Sequence, residues 1–519
     1  MMMTMKRTMY CPSTCRYDRL SHGTWLVIVA VALVLALPVV EARSFGFSTV
    51  AFISSSSSQN HNHQHQQQQQ PATTTTSFQS TRQTNLNDYD TETATSPASA
   101  SSSSFQDIAA LLPLDLPRRQ EALTMLQAVY EACAITQALQ PLDHDALETA
   151  VQKDDTSPVT VADFAVQARV LHHLQQQQQH TNSTHTIGFI AEEDSAVLRK
   201  DPPLGQRVAH AAGLSLGETL AAIDLGKSYQ SWTSTSSSST RPLRVYCLDP
   251  IDGTRGFLRG KRTGGQYAIA LALLEEGVPV IGVLGCPNLP HNDDDDVSLE
   301  WKKDASDDEE LQRRGCLFVA VQGGGCYQLP LVVPTKHSAE TTAARRLHVS
   351  PPPINSGRSL AEGRFCIGVE KYSDARGQTA GMSQHIRRRQ QDSDAITTAN
   401  NNKIDNDNND IPNARRMDSQ AKHGVIARGG AEWYVRLPKP GYVEWIWDHA
   451  AGYVVATEAG GVVTDTHGRA IDFSLGAQLS SEVQGVLMSA GGDWHEALVD
   501  AYAAVDEDAH NNPQEEEED

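Results

Sequence analysis

The chain has 519 residues, a formal net charge of −21 and 39% hydrophobic residues, so it accommodates one large domain or two ordinary ones, with part of its length unable to fold. That charge excludes a nucleic-acid coat or a polybasic membrane-surface protein. It admits an anionic small-molecule substrate wherever metal ions and a few Arg or Lys residues supply a local positive field.

Residues 1–42 carry a basic stretch (Lys6, Arg7, Arg16, Arg19), an apolar run at 25–40 that is short for a spanning helix, and a small-residue cleavage site at Val40-Glu41-Ala42, the three parts of a signal peptide. After Glu41 no acidic residue occurs until Asp88, and the segment opens Arg43-Ser44-Phe45-Gly46-Phe47. A signal followed by an acid-free, Ser-rich stretch resembles the bipartite presequence of algae with secondary plastids. Plastid import is therefore expected, with secretion as the rival and no stable membrane association after processing. Residues 54–84 are Ser, Gln, His, Thr and Asn, a composition that cannot offset the entropy of ordering and reads as a disordered spacer. Residues 43–104 as a whole read as a transit-like, low-complexity segment.

Folding is expected from Phe105. Apolar residues at helical spacing (Leu123, Leu126, Val129, Tyr130, Cys133, Ile135) predict one long amphipathic helix over 108–140. A second helix is expected at 164–174 and a buried strand at 187–191, followed by Glu192-Glu193-Asp194. Strands follow at 244–248, 266–274, 280–286, 316–321 and 326–329, the last two joined by Gly323-Gly324-Gly325. Residues 447–459 read as helix and 462–464 as strand. Inserts at 233–240, 292–310 and 384–413 read as loops, and 506–519 as an acidic tail. Strands and helices mix without a regular βαβ beat, which indicates an α+β layered fold. The halves 105–312 and 313–505 read as a metal-binding and a substrate-binding subdomain.

The six cysteines of this region, Cys133, Cys247, Cys286, Cys316, Cys326 and Cys366, form no C-x-x-C pair and no zinc-like spacing. They read as small buried thiols, with a regulatory disulfide among them as the alternative.

Five acids stand at strand ends or helix starts: Asp163, Glu192, Asp249, Asp252 and Asp448. Mg²⁺ requires hard oxygen ligands, and Asp-x-x-Asp on a tight turn places two carboxylates and an intervening carbonyl around one or two ions. Gly253 lets the backbone turn closely, and Thr254 then opens a helix whose N–H groups can hold a phosphate oxygen. The alternative, that Asp249 and Asp252 are ordinary turn and cap residues, weakens once all five acids are taken together.

These residues carry a resemblance. Ser157-Pro-Val-Thr160, Ala191-Glu-Glu-Asp194, the run 247–260 around Asp249-Pro-Ile-Asp-Gly-Thr254, Gly285-Cys-Pro-Asn288, Asp418-Ser-Gln-Ala-Lys422, Ile446-Trp-Asp-His-Ala-Ala-Gly452 and Glu458-Ala-Gly-Gly-Val-Val-Thr-Asp465 resemble the inositol monophosphatase superfamily over about 105–505. The extension Gly256–Gly260 and the segment 418–422 look closest to its 3'(2'),5'-bisphosphate nucleotidases, which remove the 3'-phosphate of 3'-phosphoadenosine 5'-phosphate (PAP). The resemblance implies an α/β/α/β/α sandwich of the inositol monophosphatase and fructose-1,6-bisphosphatase type, acting on a small nucleotide and inhibited by Li⁺; a monomer is expected. It implies that Glu192, Asp249 and the Ile251 carbonyl hold one Mg²⁺, that Asp249, Asp252 and Asp448 hold a second, and that a third ion sits near Glu192 and Asp163. Asp163 and Thr254 would orient and deprotonate the attacking water for an in-line displacement. Gly253, Thr254, Ser419, Lys422, Arg436 and Asp448 would contact substrate, the alternative for Lys422 and Arg436 being solvated surface cations. One departure, Tyr372-Ser373-Asp374-Ala375-Arg376 where the nucleotidases tend to carry His, bears on the adenine side.

Two motifs read as decoys. Gly213-Leu-Ser-Leu-Gly217 matches a nucleophile elbow but follows a helix-like segment at 206–212 instead of a strand. Gly226-Lys227-Ser228 lacks the upstream Gly of a P-loop, Ala221 standing there. Asn182-Ser183-Thr184 is a glycosylation sequon, relevant only in the secretory route. Beside the nucleotidase stand an inositol (poly)phosphate phosphatase and a catalytically silent nucleotide-binding protein. The intact acid set weighs against the silent protein.

Overall fold

The computed structural model describes residues 102–142, 151–152, 158–180, 187–229, 243–291, 314–332, 344–350, 360–369, 378–393, 413–439 and 441–511. The presequence, the spacer, the sequon, the inserts at 233–240 and 292–310, the Tyr372–Arg376 departure and residues 512–519 of the tail lie outside them.

The expected first helix is two: α1 (Ser102–Leu111) and α2 (Arg119–Leu139). Pro113 and Pro117 account for the break, since each lacks an amide donor and its ring clashes with the preceding turn. Arg118 then enters α2 at φ 51°. A two-stranded ribbon, β1 (Val151–Gln152) and β2 (Pro158–Val159), leads into α3 (Val161–His180), which runs further than 164–174 because glutamines are good helix formers. After β3 (Ile187–Ala191) come α4 (Ala196–Lys200), α5 (Pro202–Ala212) and α6 (Leu216–Leu225). Both decoy motifs are structural here. Gly213 caps α5 at φ 66°, and Ser215 forms a capping box with Glu218 at the start of α6. Lys227 donates to the carbonyls of Ala191 and Glu192, at 3.1 and 2.9 Å.

β4 (Arg244–Asp252) reaches four residues beyond the expected strand, through the Asp-Pro-Ile-Asp turn. The short α7 (Thr254–Leu258), β5 (Ala268–Glu275), β6 (Val278–Cys286), β7 (Cys316–Val321), β8 (Gly325–Pro330) and β9 (Arg345–Arg346) follow. These strands form a seven-stranded sheet ordered β3-β4-β5-β6-β7-β8-β9, with only β3 and β4 parallel. β10 (Phe365–Ile367), α8 (Gln378–Ser393), β11 (Ala414–Arg416), α9 (Ala421–Ala427), β12 (Trp433–Arg436), α10 (Ala450–Glu458), β13 (Val462–Asp465), β14 (Val486–Ser489) and α11 (Asp493–Asn511) complete the chain. Their strands make a second sheet, β11-β10-β12-β14-β13. The expected 384–413 loop is therefore helical at its start: α8 buries Met382 and Ile386, one turn apart, in a core shared with Leu498 and Tyr502 of α11.

The layers are α/β/α/β/α. α2 and α3 cover one face of the large sheet, α9 and α10 fill the space between the two sheets, and α8 and α11 cover the far face of the second sheet. Strand alternation feeds this stacking. Ile269, Leu271 and Leu273 of β5 face the α2/α3 core, while Ala268, Ala270 and Ala272 face the middle layer, where small side chains let α10 approach. The six cysteines among the described residues are buried thiols outside any disulfide. No helix among the described residues is long and apolar enough to cross a membrane.

Candidate active site

The site forms where β4 loses its ladder. Asp249 pairs with Ala270 and Asp252 with Ala268, so Pro250 and Ile251 together oppose Ile269. This bulge follows from Pro250, which cannot donate to the ladder. It leaves Asp249 buried and Asp252 half-buried on one edge of the strand. Gly253 then takes φ +84°, and a β-carbon there would come within 3.0 Å of Ser419 Cβ, so the turn needs glycine. Gly256 packs tighter still, since a β-carbon would meet the Gln266 carbonyl oxygen at 1.9 Å.

A short 3₁₀ turn (Ile446–Asp448) supplies the third acid. Carboxylate oxygens of Asp249, Asp252 and Asp448 lie within 4.8 Å of one another. Burial raises the pKa of Asp252, against the pull of Lys422 and Arg436. Burial also pushes Asp448 well above the usual carboxylate range, helped by Asp252, Glu444 and Glu192 and opposed by Arg436. Three crowded, poorly solvated carboxylates repel one another unless a cation joins them. An all-oxygen donor set of this kind suits a hard divalent ion such as Mg²⁺. Glu192 is half-buried just past β3, and the register Ala191↔Leu248 sets it beside Asp249. Its carboxylate is not one of the three that cluster within 4.8 Å. Gln167 fixes its neighbour, donating to the Glu193 carbonyl and accepting from the Glu193 amide, both at 2.8 Å.

Asp163, buried in the first turn of α3, accepts at Oδ2 from the amide and the hydroxyl of Thr160, at 2.8 and 2.6 Å. Its Oδ1 lies 3.3 Å from Thr254 Oγ1, which also lies 3.2 Å from the Ile251 carbonyl oxygen. The expected acid–hydroxyl pair is thus assembled from residues 91 positions apart.

On the facing side, Ser419 sits at φ +67° ahead of α9 and accepts from the Ala421 amide. The Gln420 amide donates to Asp252 Oδ2 at 2.5 Å, and the Gln420 side chain bridges the Trp447 carbonyl and the Gly452 amide, at 2.8 and 2.9 Å. Lys422 and Arg436 are not solvated surface cations. Lys422 is 6% exposed, with Nζ 5.0 Å from the Tyr434 ring centre, and burial lowers its pKa. Arg436 Nε donates to Glu444 Oε1 at 2.9 Å, and its terminal nitrogen stands 3.8 Å from Asp448 Oδ2. An ion pair between Arg259 and Asp418 ties the Gly256–Gly260 extension to this segment.

Thr160 and Gln420 fall inside the quoted motifs, but their roles emerge only in three dimensions. Glu444 escapes the sequence reading altogether. Its signal is an acid set between Val443 and Trp445 in an otherwise apolar run, and its carboxylate is fully buried, held to a pKa of about 2 by Arg436 and His449 against the effect of burial.

An acidic cluster at a strand break, facing buried Lys422 and half-buried Arg436 across a layered α+β core, suits a hydrolase of phosphate esters. The comparisons agree with that class. Residues 119–507 match the inositol monophosphatase family, and the chain belongs to that family of phosphatases. A 3'(2'),5'-bisphosphate nucleotidase of Emericella nidulans is 34% identical over 363 residues, 68% of this chain and 90% of the relative. The 3',5'-bisphosphate nucleotidase 2 of Arabidopsis thaliana is 33% identical over 70% of this chain and 90% of its own length. Among solved structures, the extragenic suppressor protein suhB of Bartonella henselae matches with a TM-score of 0.41 at 17% identity, covering 73% of this chain and 96% of its own. An inositol monophosphatase from Anabaena matches with a TM-score of 0.40 at 16% identity, covering 75% and 96%.

Proposed function

We propose that this chain is an Mg²⁺-dependent 3'(2'),5'-bisphosphate nucleotidase that hydrolyses the 3'-phosphate of PAP to AMP and phosphate, with the 5'-phosphosulfate analogue as a second candidate substrate. The observation that carries the reading is the meeting of the Asp249, Asp252 and Asp448 cluster with Lys422 and Arg436. A substrate with two phosphates has use for both halves: the acids hold metal around the phosphate that is cleaved, and the cations hold the one that stays.

Asp249, Asp252 and Asp448, with Glu192 and the Ile251 carbonyl, would hold Mg²⁺. When bound, the ions supply Lewis-acid activation of water and stabilise the leaving oxygen. The protein's own part is orientation and proton transfer. Two donors from Thr160 fix Asp163 Oδ2 as an acceptor, which leaves Oδ1 to take the Thr254 proton as that hydroxyl accepts one from the attacking water. Gly253, Thr254, Ser419, Lys422, Arg436 and Asp448 line the substrate side. We assign plastid import to residues 1–104, to be checked by fusing them to a fluorescent protein, and we propose a monomer.

The test is Mg²⁺-dependent phosphate release by the purified protein from PAP and from inositol 1,4-bisphosphate. Faster release from the inositol ester would overturn the nucleotidase reading. Asp249→Asn should abolish turnover with the melting temperature retained, and surviving turnover would refute the metal assignment.

A further inference from the structure

Glu444 is a buried charge that the reaction as described does not use. Its side chain is 0% exposed, Oε1 accepts from Arg436 Nε at 2.9 Å, and Oε2 lies 3.1 Å from His449 Nε2. Its backbone is pinned as well: its carbonyl accepts from the Leu479 amide, and the next two residues are tied to Gln478 and Ala477. An ionised carboxylate only accepts hydrogen bonds, so His449 is the donor in this contact, from Nε2. Burying such a charge is unfavourable unless it is well paired, and a well-packed apolar residue would often serve stability equally well. A positional role accounts for its presence.

That role follows from what Arg436 would otherwise do. Half-buried Asp448 stands on its other side, with Asp252 clustered beside Asp448. A guanidinium left alone beside them would close the 3.8 Å gap to Asp448 Oδ2 into a charge-assisted hydrogen bond. It would then neutralise an acid needed for a cation and turn its donors away from any incoming phosphate.

We propose that Glu444, braced by His449, is a positioning residue that holds Arg436 off Asp448, keeping Asp448 for the metal and the guanidinium edge for a substrate phosphate. Nε is the one guanidinium donor whose capture fixes the plane while leaving the terminal nitrogens in the site. The phosphate half of this assignment rests on the nucleotidase reading. The cation half does not.

The test is calorimetric titration of Mg²⁺ or Mn²⁺ into the nucleotide-free protein, for wild type, Glu444→Gln, Arg436→Ala and the double variant. Glu444→Gln should weaken cation binding about tenfold, and the double variant should bind like Arg436→Ala. Wild-type affinity in Glu444→Gln, or an equal loss when the change is made in the Arg436→Ala background, would overturn the proposal. In turnover assays Glu444→Gln should raise the KM for PAP about tenfold while kcat falls less, and an unchanged KM counts against the phosphate half. If the protein does not hydrolyse PAP at all, the nucleotidase reading fails while calorimetry still decides the part played by Glu444. Should Glu444→Gln not fold, Arg436→Lys poses the question again. An ammonium lacks the planar fork that lets Nε hold Glu444 while separate terminal nitrogens face a phosphate, so its KM should rise about tenfold, and a wild-type KM would overturn the assignment.

Discussion

Gln420→Ala separates the framework of the site from its chemistry. The Gln420 side chain is 1% exposed and spans two elements, donating to the Trp447 carbonyl at 2.8 Å and accepting from the Gly452 amide at 2.9 Å. Truncation leaves a carbonyl and an amide without those partners in a buried place, each worth about 1–3 kcal/mol, and opens a small cavity. A loss of about 3 kcal/mol is expected. At an unfolding entropy of about 2 cal/mol/K per residue over residues 119–507, that lowers the melting temperature by about 4 °C. The backbone amide of residue 420, which meets Asp252, survives the change. Catalytic loss should therefore appear in the KM, through a looser Ser419–Lys422 segment, more than in kcat. Differential scanning calorimetry and steady-state kinetics on the same preparation read both. A melting temperature within 1 °C of wild type, with unaltered KM, would refute the claim that this side chain clamps the 3₁₀ turn to the substrate-side segment.

Two further predictions concern the scaffold. Gly256→Ala would place a methyl 1.9 Å from the Gln266 carbonyl oxygen and 3.0 Å from Asp418. The chain there must shift, and a loss of about 3 kcal/mol should show as a lower denaturation midpoint, whereas a wild-type midpoint would show that the close approach is not needed. Glu131 bonds Arg169 at 3.0 and 2.8 Å and lies 3.7 Å from His173; burial alone would raise its pKa, but these partners bring it from 4.5 to about 2. The folded value lies below the unfolded one, so its stabilisation is complete above about pH 4.5 and is lost as pH falls through about 2. The full shift corresponds to roughly 3 kcal/mol, and partial exposure of the pair reduces this to about 1.5 kcal/mol. Denaturant titrations of wild type and Glu131→Gln should differ most near neutrality and converge toward pH 2, and a gap that stays constant with pH would sink the assignment.

Legibility in the sequence followed how local each cause was. The strand at 187–191 lies where its apolar run ends in three acids, because the change of side-chain type falls within one residue. The helix over 108–140 failed where periodicity outvoted Pro113 and Pro117, two residues whose effect is steric and overrides pattern. The part of α8 from residue 384 was read as loop because its arginines and glutamines mask the hydrophobic i, i+4 pair, Met382 and Ile386, that the helix buries. Asp249, Asp252 and Asp448 were legible because carboxylates at the ends of apolar segments have few structural uses. Glu444 was not, because its meaning lies in Arg436 and His449, which meet it only after β12 and the 3₁₀ turn have packed.

The same distinction explains why the decoys failed and why Asp249–Thr254 forms an acidic turn. A nucleophile elbow or a phosphate loop works only if its flanking elements are a strand and a helix in that order, and Gly213–Gly217 joins two helices instead. Asp249–Thr254 carries its own context: the proline that ends the ladder, the glycine that turns the chain and the acids on either side lie within six consecutive residues. The bulge therefore forms wherever β4 pairs with β5, and parallel pairing with β3 then brings Glu192 alongside. What the motif cannot encode is the counter-charge. That comes from Lys422 and Arg436, which the middle layer and the second sheet deliver across the β4 edge. Asp249 and Asp252 come from the large sheet, whereas Asp448 precedes the middle-layer helix α10 and shares that side with the cations, so substitutions that loosen the middle layer should disturb Asp448 and Lys422 together before they reach Asp249 and Asp252.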